Sequence, residues 1–249
     1  MRTVIIIPAR FNSTRFLGKP LAKIFGKELI KWVIDIAIKT VGKKNVYVAT
    51  ENLKIVTFLK KESVNFILTS KNCLTGTDRV AEASKKIKAN IYVNLQGDEP
   101  LVNPSDIKKI ILAKNKNKNK VICGYTNLLD QEDPNNINIP KVIINNKNIL
   151  IYASRLAIPG TKKLIKLKNT SYLKQVCIYA FNKKELNLFN LSKKKSYLEK
   201  LEDIEILRFF DLGARVKMIK TKSNSLAVDE PKDIRKIENF LKKNDKKNE

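Results

Sequence analysis

The sequence predicts an α/β fold, a three-layered α/β/α arrangement on a mixed but mostly parallel sheet, with a smaller antiparallel insertion. Val4, Ile5, Ile6 and Ile7 are consecutive β-branched apolar residues, which suit a strand buried on both faces, as in a parallel sheet. Apolar runs then alternate with helical periods in a βαβαβ order, whose crossovers gather the loops at one sheet edge. From Pro134 to about Leu191 that alternation breaks into short strands and turn residues. A chain of 249 residues can bury a full core. We expect one domain over 1–243, an insertion over 134–191 and a flexible basic tail over 244–249.

The first strand is expected to end at Pro8, which lacks a ladder donor. The loop that follows carries Arg10, Ser13, Thr14, Arg15, Gly18 and Lys19. It leaves the carboxyl end of a buried strand, where open α/β sheets bind ligands. Guanidinium, ammonium and free backbone N–H groups suit closely spaced phosphate oxygens; the alternative is a basic surface loop. Leu29, Val33, Ile36 and Ala37 then recur at helical spacing over roughly four turns. A strand over Val46–Thr50, a helix over Leu53–Glu62 and a short strand over Phe66–Leu68 follow.

Thr69–Arg79 is a loop running into a helix with Val80, Ala83 and Ile87 on one face. Thr75 or Thr77 suits its N-cap, and Arg79 with the threonine hydroxyls also suits a nucleotide. Ile91–Leu95 reads as a buried strand leading into Gln96-Gly97-Asp98-Glu99-Pro100. Gly97 permits close backbone approach, and the acids suit either a β-turn or a Mg²⁺ ion bridging phosphates. A helix over Asn103–Ala113 is closed by the Lys/Asn repeat, and Val121–Tyr125 is a strand. In the insertion, Pro140–Ile144 and Ile149–Tyr152 form a hairpin across Asn145–Asn148, and Gln175–Phe181 is a further strand. Arg155 suits a carboxylate ligand or the surface. One helix is expected over Ser196–Leu212, where Glu202, Glu205 and Arg208 step by three, as an ion-pair ladder or as substrate contacts. After a strand over Ala214–Lys220, Pro231 suits the first position of the last helix, with Glu230 its cap. Asp229, one residue outside, suits a second metal carboxylate.

Composition narrows the function. With 50 Lys and Arg against 24 Asp and Glu, the formal charge is +26, which raises nucleic-acid or acidic-membrane binding. The excess, however, is Lys interspersed with Asn, as over Lys114–Lys120 and in the tail from Lys242, without interleaved aromatics to stack bases. Solvated loops are expected there, and nucleic acid is not expected as the main partner. Cys73, Cys123 and Cys177 form no C-x-x-C pair, which implies a reducing compartment and no structural zinc. With no leader-like start and no apolar run of membrane-spanning length, a soluble cytoplasmic protein without a membrane partner is expected. There is no histidine. Triads, imidazole bases and His-metal sites are thereby excluded, and chemistry must run on carboxylates, Lys, Arg and metal.

Five blocks, in this order, resemble the 3-deoxy-manno-octulosonate cytidylyltransferase (CMP-Kdo synthetase) family. They are Ile-Pro-Ala-Arg-x-x-Ser-Thr-Arg-x-x-Gly-Lys-Pro-Leu over 7–21, Thr-Gly-Thr-Asp-Arg over 75–79, Leu-Gln-Gly-Asp-Glu-Pro over 95–100, Tyr-x-Ser-Arg-x-x-Ile-Pro over 152–159 and Val-Asp-x-Pro-x-Asp over 228–233. The resemblance implies a nucleotide-diphosphosugar-transferase-like (Rossmann-like) fold and a homodimer formed through the insertion. It also implies Mg²⁺ as cofactor and transfer of CMP from CTP to the anomeric hydroxyl of an acidic sugar, 3-deoxy-manno-octulosonate (Kdo), for lipopolysaccharide assembly.

By the same resemblance, Arg10, Arg15, Lys19, Asp98 and Asp229 are the catalytic set, with Asp98 and Asp229 holding metal. Ala9, Arg10, Ser13, Thr14, Arg15, Lys19, Thr50, Gly76, Thr77, Arg79, Gln96, Gly97 and Asp98 would bind the nucleotide. Arg155, Gln175, Tyr179, Glu202 and Glu205 would meet the sugar acid. Three positions depart from the family pattern: Gln175 stands where His is usual, Cys177 where Gly is usual, and Ile206 where Gln is usual. All three lie on the sugar side. They leave open a different acid, such as amino-substituted Kdo or a nonulosonic acid. Cys73 also replaces a usual His beside the nucleotide loop. A non-catalytic nucleotide or nucleic-acid binder is the reading from another class, and it has no need of two metal carboxylates far apart in sequence.

Overall fold

The computed structural model describes residues 1–162, 168–192, 194–222 and 226–245. Its first half contains β1 (Thr3–Ala9), β2 (Lys23–Ile24), β3 (Lys27–Glu28), α1 (Leu29–Val41), β4 (Val46–Thr50), α2 (Leu53–Lys61), β5 (Asn65–Leu68), α3 (Gly76–Ser84) and β6 (Ile91–Leu95). The second half contains α4 (Pro104–Lys116), β7 (Val121–Asn127), β8 (Lys141–Ile144), β9 (Leu150–Ser154), β10 (Leu173–Phe181) and α5 (Lys183–Leu191). It ends with α6 (Tyr197–Glu202), α7 (Ile206–Asp211), β11 (Val216–Lys220) and α8 (Pro231–Asp245). The chain divides into two compact units. A parallel unit holds Val4–Ile87, Asn94–Ser105 and Asn224–Glu249, and a mixed unit holds Met1–Thr3, Lys88–Val93 and Asp106–Ser223.

In the parallel unit β1, β4 and β5 lie side by side, with Ile7 opposite Val48 and Val48 opposite Phe66. Val4 to Ala9 are all buried, as a β-branched run covered on both faces must be. Pro8 does not end the strand as expected. It sits opposite Ala49, and the strand continues to Ala9. A proline removes one donor only, and so close to a strand end one lost ladder bond is tolerated. α1 buries Leu29, Ile30, Val33, Ile34 and Ala37. Leu29 and Ile24 pack with Val228 and Ile237 of the α8 region, flanked by Phe16 and Trp32, so an apolar cluster fixes the segment that carries Asp229.

The mixed unit orders its strands β11-β7-β10, with β8 on β10 and β9 on β8. β7 runs parallel to β11 and antiparallel to β10, whose register slips between Val176 and Tyr179. Lys114 corrects the solvated-loop reading of the Lys/Asn repeat. It lies within α4, buried, with its ammonium 2.6 Å from Glu185 and donating to the Lys120 carbonyl at 2.7 Å. The single helix expected over Ser196–Leu212 is two helices. Asp203 adopts left-handed φ of 49° and stops α6. Aspartate tolerates that conformation better than most side chains. The exposed end is then capped from elsewhere, because Arg155 donates to the Glu202 and Asp203 carbonyls at 2.7 and 2.8 Å. Arg208 is buried and grips Glu199 with two bonds of 2.6 and 2.7 Å, so it belongs to neither a surface ladder nor a face shared with Glu202.

Candidate active site

The site grows from the loop after β1. The Phe11 carbonyl accepts from Ser13 and Gly18 N–H at 3.2 and 2.9 Å, folding the loop on itself. Gly18 has φ +70°, which favours glycine, and an added Cβ would also press on the Phe11 ring at 3.3 Å. A 3-10 turn, Lys19–Leu21, begins there. It aims the Lys19 ammonium at Asp98 Oδ2, 2.6 Å away, and at the Val228 carbonyl, 2.9 Å away. Arg15 Nη2 lies 2.9 Å from Asp229 Oδ1. Val228 N–H donates to the Asp98 carbonyl at 2.9 Å, so the two acidic segments, far apart in sequence, are tied together.

A cavity of about 200 Å³ opens beside these groups. Of the expected nucleotide residues, Ala9, Arg10, Ser13, Arg15, Lys19, Gly76, Arg79, Gln96, Gly97 and Asp98 line it. Two glycines let its walls close up. A Cβ on Gly97 would lie 3.1 Å from the Pro8 carbonyl, and one on Gly76 would lie 3.2 Å from Pro8 and 3.3 Å from Gln96 Oε1. Gly76 also starts α3, whose capping box settles the choice of cap on Thr75. Its hydroxyl accepts from Asp78 N–H while Asp78 accepts from Thr75 N–H. Thr77 instead faces Asn94, accepting from its amide at 3.1 Å, and Thr50 accepts from Asn52 N–H. Thr14 is exposed.

Arg79 is buried at the cavity wall. Its Nη1 donates to Thr69 Oγ1 at 2.6 Å and to the Ser70 carbonyl at 3.4 Å, and lies 2.8 Å from Glu51 Oε2. Glu51 was not singled out from the sequence; an acid at a strand's carboxyl end, as at Asp98, was the signal that could have found it. Cys73 and Leu74 also line the cavity. The Cys73 thiol is pushed up to about 12, first by burial and then by its hydrogen bond to Glu82.

The expected sugar-side residues lie in the mixed unit. The Glu202 carboxylate accepts from Tyr152 OH (3.2 Å), Ser154 OH (2.8 Å) and Arg155 N–H (2.8 Å). The Arg155 guanidinium donates to three carbonyls, those of Ile137, Glu202 and Asp203. Gln175 Nε2 donates to Tyr179 OH at 3.2 Å and lies 3.5 Å from Cys123 Sγ. Burial foremost holds the Tyr179 phenol well above its usual range. Glu205 immediately precedes α7, and Ile206 is buried at its start.

Among the described residues no group of three or more His, Cys, Asp or Glu could hold a metal. Asp98 and Asp229 alone still fit Mg²⁺. That ion is usually held by one or two carboxylates, with phosphate oxygens and water completing its shell. Both carboxylates keep some exposure, 29% and 30%, and both already face cations, so each is an oxygen donor oriented toward positive charge.

This arrangement, with cations and paired carboxylates around a cavity at a strand's carboxyl end, is that of a nucleotidyltransferase. The chain belongs to the cytidylyltransferase family, whose sequence profile matches residues 4–219. It is 32% identical over 243 residues to a 3-deoxy-manno-octulosonate cytidylyltransferase of Bdellovibrio bacteriovorus, covering 97% of this chain and 98% of that one. It is 34% identical over 249 residues to an 8-amino-3,8-dideoxy-manno-octulosonate cytidylyltransferase of Shewanella sp., covering 97% and 99%. Among solved structures it resembles CMP:2-keto-3-deoxy-manno-octonic acid synthetase complexed with CTP, with a TM-score of 0.88, 30% identity and coverage of 98% and 100%. That likeness bears out the nucleotide-diphosphosugar-transferase-like α/β fold.

Proposed function

We propose that the chain transfers CMP from CTP to the anomeric hydroxyl of Kdo, releasing pyrophosphate. The observation that carries this reading is the convergence of Lys19 and Arg15 on Asp98 and Asp229 beside the cavity. It is the charge pattern a metal-dependent triphosphate site needs, and relatives such as the Bdellovibrio protein are named 3-deoxy-manno-octulosonate cytidylyltransferases. The anomeric oxygen forms a bond to the α-phosphorus as the bond to pyrophosphate breaks, and the hydroxyl proton passes to solvent. Lys19, Arg15 and Arg10 bind the triphosphate and offset charge growing on the leaving group. Arg79 and Gln96 orient the base, with Ala9, Gly76 and Gly97 allowing close approach; Ser13, Thr14, Thr50 and Thr77 remain in the proposed nucleotide set. Asp98 and Asp229 would hold Mg²⁺, which when bound supplies charge neutralisation at the phosphates and acidifies a hydroxyl it coordinates.

Arg155, Gln175, Tyr179, Glu202 and Glu205 are proposed for the sugar side, with Arg155 and Glu202 framing it through the bonds they already make. A second reading, activation of an 8-amino sugar, is favoured by one relative's name and by the Gln175, Cys177 and Ile206 departures. We further propose a cytoplasmic homodimer. The mixed unit exposes Ile151, Leu156, Tyr197 and Leu201 on segments that Glu202 ties together, and no helix among the described residues is long and apolar enough to cross a membrane.

Asp98→Asn and Asp229→Asn test the site. Each should lower Mg²⁺-dependent pyrophosphate release at least about 100-fold, with circular dichroism and melting temperature kept near those of the unmodified chain. Retained turnover in either variant would remove that carboxylate from the metal site.

A further inference from the structure

Glu51 stands behind the cavity, bonded to Phe11 in the basic loop and facing Arg79 on the cavity wall. It follows β4 directly, and its carboxylate is 91% buried. Oε1 accepts from Phe11 N–H at 3.3 Å, at the start of the basic loop. Oε2 lies 2.8 Å from Arg79 Nη1 but makes no hydrogen bond of its own, because the Nη1 protons go to Thr69 Oγ1 and the Ser70 carbonyl. The contact is therefore charge against charge. A buried carboxylate kept on those terms stabilises the guanidinium where it stands.

All these contacts engage one amino group of Arg79. Among the described residues, Nε and Nη2 have no hydrogen-bond acceptor, although the residue is 3% exposed and lines the cavity. That leaves an edge of the guanidinium for a ligand. Such a fork suits two adjacent acceptors. Cytosine presents them at O2 and N3, whereas uracil carries a hydrogen on N3 and would set donor against donor. An unpaired buried donor is a strong basis for discrimination.

We propose that Glu51 is a positioning residue for base selection, holding Arg79 by one amino group so that the other edge distinguishes cytosine from uracil, and fastening the basic loop at Phe11. The inference rests on the reading of the cavity as a CTP site. That reading is tested separately, by CTP binding and turnover in the unmodified chain.

The experiment is calorimetric titration of Glu51→Gln with CTP and with UTP, in Mg²⁺. CTP affinity should fall about tenfold or more with UTP affinity little changed, so that the CTP:UTP ratio collapses. At saturating CTP, kcat should stay within about threefold while KM rises. Glu51→Asp should restore part of the ratio. Thr69→Val, which removes the other anchor of Nη1, should move the ratio the same way and decides the matter if Glu51→Gln does not fold. An unchanged ratio, an equal loss for both nucleotides, or a loss confined to kcat would overturn the proposal. An unmodified chain that binds neither nucleotide would overturn the CTP reading itself.

Discussion

Cys73 stands at the cavity wall, yet burial and the acceptor Glu82 push its thiol up to about 12. The thiolate is the reactive form, so a raised value means an inert sulfur at neutral pH. Iodoacetamide at pH 8 should alkylate Cys73 roughly 100-fold more slowly than a free cysteine, as peptide mass spectrometry would show; labelling at the free-thiol rate would contradict the assigned environment. Lys114 and Glu185 show the same force at a structural pair. Burial lowers the lysine and raises the acid, and their mutual attraction only partly opposes that. Nothing marked Lys114 among the lysines around it, because burial is decided by partners distant in sequence. The same limit applies to Arg208 and Glu199, whose pairing depends on a bend that no glycine or proline announces.

The elements bearing the site were more legible. β1, β4 and β6 follow from buried apolar runs, and Gly18, Gly76 and Gly97 mark the backbone turns at the cavity, where an added Cβ would meet a neighbour at 3.3, 3.2 and 3.1 Å. The α6–α7 break was not legible, since it depends on Arg155 capping carbonyls from another segment. Within the loop after β1, Arg15 and Lys19 occupy the carboxylates that a metal would need. On the proposed reading, a triphosphate would offer those cations a competing set of oxygens and free the acids for metal. Arg15→Ala should accordingly raise Mn²⁺ affinity in the nucleotide-free chain about threefold, the modest size expected of a half-exposed pair. Adding Asp229→Asn should abolish the gain. Electron paramagnetic resonance of free Mn²⁺ measures both, and an Arg15→Ala affinity equal to that of the unmodified chain would contradict the account.

For the molecule as a whole, the absence of histidine sets what chemistry the site can run. A site without imidazole, built from Arg, Lys and paired carboxylates, suits phosphoryl chemistry, in which positioning and charge neutralisation do most of the catalysis. Family membership, the fold and the cavity agree with that. The sugar is the finer question, because Gln175 and Ile206 are buried within the mixed unit and Gln175 is bonded to Tyr179. The most direct measurement is pyrophosphate release from CTP and Mg²⁺ with Kdo, 8-amino-Kdo and a nonulosonic acid, against ATP, GTP and UTP as nucleotide controls. The account predicts release with CTP and Kdo and little with the other nucleotides. Release with CTP and only another acid would reassign the substrate, and no release with any acid would contradict the enzyme reading.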